Sequence, residues 1–218
     1  MAKIKLLKIH FILFSIAGAV CLRADAQTNS SPAPEPSAPT VQTLVCLRHG
    51  EKPKGGLGQL TCRGLNRALA LPKVLLEKYG APQFVFAPNP AQRVDGKNGG
   101  PEYYYVRPLA TIEPTAIRCG LPVNTQFGFR EIKALESELA KTNYQGATIF
   151  IAWEHGMLDQ FAKNLLKDNG GDRARVPAWP ADDYDTIFLI KITHSNNGDS
   201  VAFTIDHENL NGLSEDCP

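Results

Sequence analysis

The chain has 218 residues, 43% apolar and 21% charged, with 18 Gly and 16 Pro. That composition excludes a collagen-like, coiled-coil or wholly disordered chain and suits one globular domain. A formal net charge of +1 gives no global basic field to attract nucleic acid.

The first segment reads as an address. Lys3, Lys5 and Lys8 form a positive n-region, Ile9 to Leu22 is a nearly continuous apolar run of 14, and Ala24-Asp25-Ala26 supplies a small-x-small cleavage pattern. A helix of that length falls short of the roughly 20 residues that span a bilayer. The expectation is a signal peptide over 1–26, cleaved after Ala26, with periplasmic or secreted localisation and no stable membrane insertion afterwards. A retained anchor or a buried helix is the alternative, and the bulky Val20 disfavours lipid attachment at Cys21. Cleavage removes four basic residues (Lys3, Lys5, Lys8, Arg23) and one acidic residue (Asp25), leaving 19 basic and 21 acidic and a net charge of about −2.

Residues 27–41, rich in Pro, Ser and Ala, cannot bury enough surface to offset ordering entropy and read as a flexible linker. The domain is expected over 42–218. Thr43–Leu47 is a short apolar strand that runs into Arg48-His49-Gly50-Glu51. Thr61 opens a helix that Gly80 stops, with Pro72 expected to kink or divide it. Phe84–Ala87 is a second strand, and 88–106 a loop carrying Tyr103-Tyr104-Tyr105. A helix from about Pro108 to Cys119 follows, interrupted by Pro114 or starting later because of it. Helices over about Arg130–Lys141 and Met157–Lys167 flank a strand at Thr148–Trp153. Thr186–Ile192 and Val201–Ile205, joined by an Asn-Asn-Gly turn signal, read as an antiparallel hairpin. The alternation predicts an α/β fold: a mostly parallel sheet covered on both faces, with an antiparallel C-terminal hairpin.

The cleaved chain keeps Cys46, Cys62, Cys119 and Cys217. An even count in an oxidising compartment permits two disulfides, and four cysteines allow three pairings, which stay open here. Cys46, within an apolar strand, is equally a buried thiol. None has zinc-ligand spacing, and no metal or cofactor is expected.

In open α/β sheets ligands bind beyond the carboxyl ends of the strands. His49 lies two residues past one strand and His155 two past another, so parallel strands would bring both imidazoles to one edge. Arg48 precedes His49, and Arg107 opens a helix. Singly, such residues are ordinarily caps, core groups or solvated charges. Together they suit a phosphoryl group: arginine offers a planar fork of donors, and a neutral imidazole is a nucleophile toward phosphorus. His194 and His207 lack such surroundings and read as structural.

These residues also carry a family resemblance. Cys46-Leu47-Arg48-His49-Gly50-Glu51-Lys52 resembles the opening signature of the histidine phosphatase superfamily, also called phosphoglycerate mutase-like. Leu60-Thr61-Cys62-Arg63-Gly64 is similar to its Leu-Thr-x-x-Gly start of the first helix. Arg107-Pro108-Leu109-Ala110-Thr111-Ile112-Glu113-Pro114 resembles its phosphate-binding arginine helix, and Ile149 to Gly156 the late strand that delivers the second catalytic histidine. The four motifs come in the family's order over about 45–165. The resemblance implies a three-layer α/β/α fold and a metal-independent phosphatase. His49 would become a transient phosphohistidine, while Arg48, Arg107 and His155 bind the phosphoryl oxygens.

Three carboxylates compete for the role of general acid. In one branch of the family a Glu after the arginine helix serves, which points to Glu131 or Glu136, each of which also reads as part of a solvated helix face. Glu154 adjoins His155, but adjacent strand residues point to opposite faces, so an altered backbone is needed for the two to converge. Residues 89–106 are longer than the family's usual connection and form either a wall beside the site or a surface loop. The expected partner is a small-molecule phosphomonoester or a phosphorylated envelope component. The alternatives are a non-catalytic phosphate- or anion-binding protein on the same fold, a phosphoglycerate mutase-type phosphotransferase, and a protein-phosphohistidine phosphatase.

Overall fold

β1 (Thr40–Arg48) sets the layering, because from Leu44 to Arg48 its side chains alternate between two covered faces. Leu44 and Cys46 enter one apolar cluster, Val45 and Leu47 the other. The computed structural model describes residues 38–55, 57–96 and 100–218. The segment read as a signal peptide and the linker as far as residue 37 lie outside the described residues. β1 itself begins inside the stretch read as linker, where Thr40 and Val41 pair with His194 and Thr193.

The remaining strands are β2 (Phe84–Phe86), β3 (Arg93–Val94), β4 (Tyr103–Tyr104), β5 (Val123–Asn124), β6 (Thr148–Trp153), β7 (Thr186–His194) and β8 (Ser200–His207). Six of them form one sheet in the order β5-β2-β6-β1-β7-β8. β5, β2, β6 and β1 run parallel, whereas β7 is antiparallel to β1 and β8 antiparallel to β7. The helices α1 (Cys62–Tyr79) and α2 (Arg107–Cys119) cover one face, placing Leu71, Leu75, Ile112 and Ala116 against Val45 and Leu47. On the other face α3 (Ile132–Leu139) and α4 (His155–Asp168) place Leu135, Leu139, Leu158 and Phe161 against Leu44 and Cys46. Each such buried Leu or Phe contributes about 1.5–3 kcal/mol. This is the expected three-layer α/β/α arrangement, with the expected C-terminal hairpin.

Several local expectations are corrected. α1 runs undivided through Pro72, whose ring is buried in the core, and α2 continues through Pro114. Each proline deletes one helical hydrogen bond, yet the apolar face on either side packs on the sheet and holds the helix together. α2 also starts earlier, at Arg107, with Pro108 in the first turn where no N–H is needed. The 88–106 loop contains a small hairpin, β3 against β4. The helix expected from Met157 starts at His155, and that expected over 130–141 contracts to Ile132–Leu139.

One disulfide is present among the described residues, Cys62–Cys217, with a Cα–Cα distance of 4.5 Å. It fastens the C-terminal segment to the first turn of α1, beside Arg63–Glu215 (2.6 Å) and Asn66–Asp216 O (2.8 Å). Cys46 and Cys119 stay free. A second bridge fails for want of proximity: Cys46 points into the α3–α4 layer, and Cys119 ends α2 in the opposite one.

Candidate active site

The site forms at the carboxyl ends of β1 and β6, which are parallel neighbours in register, with Arg48 opposite Trp153. The His49 N–H extends the ladder by one bond to Trp153 O, 3.0 Å. His49 therefore stands level with Glu154, and His155 follows as the first residue of α4.

His49 is 1% exposed. Its Nδ1 lies 2.8 Å from Gly50 O. A carbonyl only accepts, so Nδ1 carries the proton and Nε2 keeps its lone pair. Burial first, and then the Arg107 charge, push the imidazole pKa down to about 3. His49 is thus a neutral, oriented imidazole with a free Nε2 lone pair across ordinary pH.

Two buried arginines adjoin it. Arg48 donates from Nη1 to Asp183 O (2.7 Å), and its guanidinium lies 3.9 Å from the Tyr184 ring centroid. The Arg107 guanidinium lies 4.8 Å from the Tyr105 ring centroid and 5.5 Å from that of Tyr103. Aromatic faces shield both cations from water, strengthening what their edges offer to an anion. The Tyr105 and Tyr184 rings also flank His49, at centroid distances of 6.0 and 6.2 Å.

The loop 48–51 is held from below. Gly50 N–H donates to Thr111 Oγ1 (2.9 Å), which itself donates to Arg107 O (2.8 Å), joining the loop to the start of α2. Thr61 caps α1 by accepting from Gly64 N–H, while its own N–H donates to Glu51 O, 2.8 Å. Gly64 is needed there, because a Cβ would stand 2.5 Å from Glu51 O and 2.9 Å from Glu51 N. The Leu-Thr-x-x-Gly motif thus seats the loop on α1. Fully buried Arg67 grips Glu51 through both carboxylate oxygens (2.7 and 3.0 Å) and Glu208 at 2.5 Å.

Glu154 and His155 do converge, and the backbone change that the sequence called for is a helix start. Glu154 is the N-cap of α4, its side chain accepting from Met157 N–H, and its Oε1 lies 2.7 Å from His155 Nδ1. Burial raises the Glu154 pKa, but the bond to His155, its charge and the helix N–H groups outweigh this and hold it at about 2. Glu154 is therefore ionised and orients His155. Glu131, exposed at the start of α3, accepts from Gly128 N–H at 2.8 Å. Glu136 accepts from Asn164 at 2.8 Å in the cleft between α3 and α4. Neither forms a hydrogen bond or ion pair with Arg48, His49 or His155 among the described residues.

Tyr184, Tyr105 and Arg67 are contributors that sequence reasoning missed in these roles. The Tyr103–Tyr105 run was a visible signal; Tyr184 and Arg67 had none, because only the antiparallel β7 and the C-terminal segment bring their partners into place. Among the described residues no three His, Cys, Asp or Glu side chains gather to hold a metal ion.

Neither a family model nor a curated protein matches the sequence. Solved structures do match in shape. A protein assigned as the phosphohistidine phosphatase SixA of Nakamurella multipartitia is 15% identical, with a TM-score of 0.53 over 79% of this chain and 98% of its own. A mycobacterial glucosyl-3-phosphoglycerate phosphatase is 16% identical, with a TM-score of 0.51 over 75% of this chain and 97% of its own. The same enzyme in complex with inorganic phosphate gives 16% and 0.50 over 75% and 95%. The chain has the histidine phosphatase fold, the phosphoglycerate mutase-like fold that its motifs resemble.

Proposed function

We propose that the protein is an exported, metal-independent phosphatase that hydrolyses a phosphomonoester through a phosphohistidine on His49. The observation that carries the reading is the His49–Gly50 O hydrogen bond of 2.8 Å, which leaves Nε2 unprotonated beside two buried arginines. The phosphatase names of the similar structures support it.

In the first step Nε2 attacks phosphorus, a P–N bond forms and the ester P–O bond breaks, the departing oxygen keeping the electron pair and taking a proton from solvent. Arg48, Arg107 and His155 stabilise the charge that builds on the phosphoryl oxygens. In the second step water attacks phosphorus and gives up a proton to solvent, the P–N bond breaks with its electron pair returning to Nε2, and inorganic phosphate leaves with His49 restored. Glu154 positions His155 and, being ionised, does not protonate the leaving group. That one observation favours a second reading, in which the substrate carries a leaving group needing little acid assistance, such as a phosphoramidate of histidine. The N-terminal segment supports export, with cleavage after Ala26 as its test.

The experiment is hydrolysis of an aryl phosphate in the presence of chelator by the wild-type protein and His49→Ala. Activity that resists chelator and vanishes in the variant supports the reading. Equal activity in both removes His49 as nucleophile. Phosphate binding without hydrolysis of aryl, alkyl or phosphoramidate substrates makes the chain a phosphate-binding protein.

A further inference from the structure

Tyr105 ends the β3–β4 segment two residues before Arg107, and its placement is constrained from several sides. Its N–H donates to Gln92 O at 3.3 Å, and the following Arg107 N–H donates to Gly58 O at 2.9 Å. Gly58 has φ +72°, and a Cβ there would stand 1.9 Å from Tyr104 O, so this close approach admits only glycine. The side chain is 2% exposed, wedged between Phe129 (ring centroids 5.1 Å apart) and the edge of His49.

The hydroxyl is what packing leaves unexplained. It is buried; its oxygen accepts from the Arg107 guanidinium, but its own proton is donated to no described acceptor. Arg107 has only donors and cannot take that proton. Buried phenols ordinarily find a partner, because an unmet hydrogen bond loses the hydration of the group with no return. Burial keeps this phenol protonated and so a donor, and the groups acting on it besides are Arg107 and Glu154, both components of the site, and Tyr103. An acceptor is missing among the protein groups, and the anion for which the site is built offers three equivalent ones.

We infer that Tyr105 donates a hydrogen bond to a phosphoryl oxygen of the bound substrate, beside Arg107. The inference rests on the phosphatase reading and adds a binding group from the 89–106 segment that the four motifs do not contain. It makes that segment a wall of the site rather than a surface loop. The donor serves a non-bridging oxygen, so its contribution does not depend on the leaving group.

The test compares wild type, Tyr105→Phe and, as a control, Tyr104→Phe, at a residue that is 56% exposed. Each is assayed for kcat/KM on an aryl and an alkyl phosphate, for binding of inorganic phosphate, and for thermal unfolding. Tyr105→Phe is expected to lose about 10- to 100-fold in kcat/KM on both esters, with phosphate binding weakened in the same sense. Its unfolding midpoint is expected to change little, since the only protein hydrogen bond lost is the one the hydroxyl accepts from Arg107. Wild-type kcat/KM and phosphate affinity in Tyr105→Phe would overturn the inference. So would a loss confined to the alkyl ester, which marks a proton donor to the leaving oxygen, or a lowered midpoint with unchanged phosphate affinity, which marks a structural hydroxyl. Wild-type protein that neither hydrolyses these esters nor binds phosphate contradicts the phosphatase reading itself, a result separable from any difference between the variants.

Discussion

His155 Nδ1 lies 2.7 Å from Glu154 Oε1, although the two residues adjoin at the end of a strand. The pair is possible because β6 ends at Trp153 and the chain turns into α4, with Glu154 as its N-cap. One carboxylate thus satisfies a helix terminus with one oxygen and aims an imidazole with the other.

Glu154→Gln separates those duties. The amide still accepts from Met157 N–H but no longer pairs ionically with His155, and a fall in kcat/KM of roughly tenfold is expected. The folded pKa of Glu154, about 2, lies below its unfolded value. Its stabilising effect is therefore complete above about pH 4.3 and fades as pH falls toward 2. Urea titrations from pH 5 to pH 2.5 should show a shallower acid decline in the variant than in wild type.

Glu208 behaves in the opposite sense. It shares Arg67 with Glu51 and, at 3.6 Å, Asp185, so one guanidinium faces three carboxylates. Burial pushes the Glu208 pKa up to about 8 against the pull of Arg67. The folded protein then binds a proton that the unfolded chain releases near pH 4.3, and stability falls as pH rises from there through about 8. Glu208→Gln should flatten that decline, gaining relative to wild type at pH 8. Arg67→Met should cost about 3–5 kcal/mol in chemical denaturation, because it strands buried carboxylates.

Gly64→Ala tests the seat of the loop 48–51. A Cβ 2.5 Å from Glu51 O cannot be accommodated by a flexible side chain, because the obstacle is backbone. A loss of about 1–3 kcal/mol in stability is expected, with a larger fall in kcat than in phosphate affinity as Glu51 and His49 shift. A circular-dichroism melt together with kcat and phosphate titration checks both parts.

The four described cysteines divide into three kinds. Breaking Cys62–Cys217, by Cys217→Ser or by reductant, frees the C-terminal segment and should cost about 2–4 kcal/mol. Cys46 is 1% exposed and burial pushes its thiol pKa up, so it should alkylate only after unfolding. Cys119, half-buried at the end of α2, should react in the native protein. Peptide mapping after alkylation with and without denaturant distinguishes them.

The layers, the parallel core and the C-terminal hairpin were legible because they rest on local signals: apolar runs, Thr61 and Gly80 at the ends of α1, and a turn after His194. Arg48, His49, Arg107 and His155 were legible as motifs. Legibility failed where a residue's role depends on a distant partner. Nothing local to Arg67 points to Glu208, 141 residues on, and nothing near Tyr184 announces Arg48. Two-residue strands such as β5 carry no periodicity to read. Pro72 and Pro114 misled because tertiary packing of an apolar face outweighed a local breaker.

The most direct test is to trap the intermediate. Wild-type protein is mixed briefly with an aryl phosphate, quenched at alkaline pH, where phosphohistidine survives, and digested for mass spectrometry. The reading predicts one acid-labile phosphoryl group on the peptide containing His49, absent from His49→Ala. Turnover by wild type with no such adduct, or an adduct that persists in His49→Ala, would contradict it.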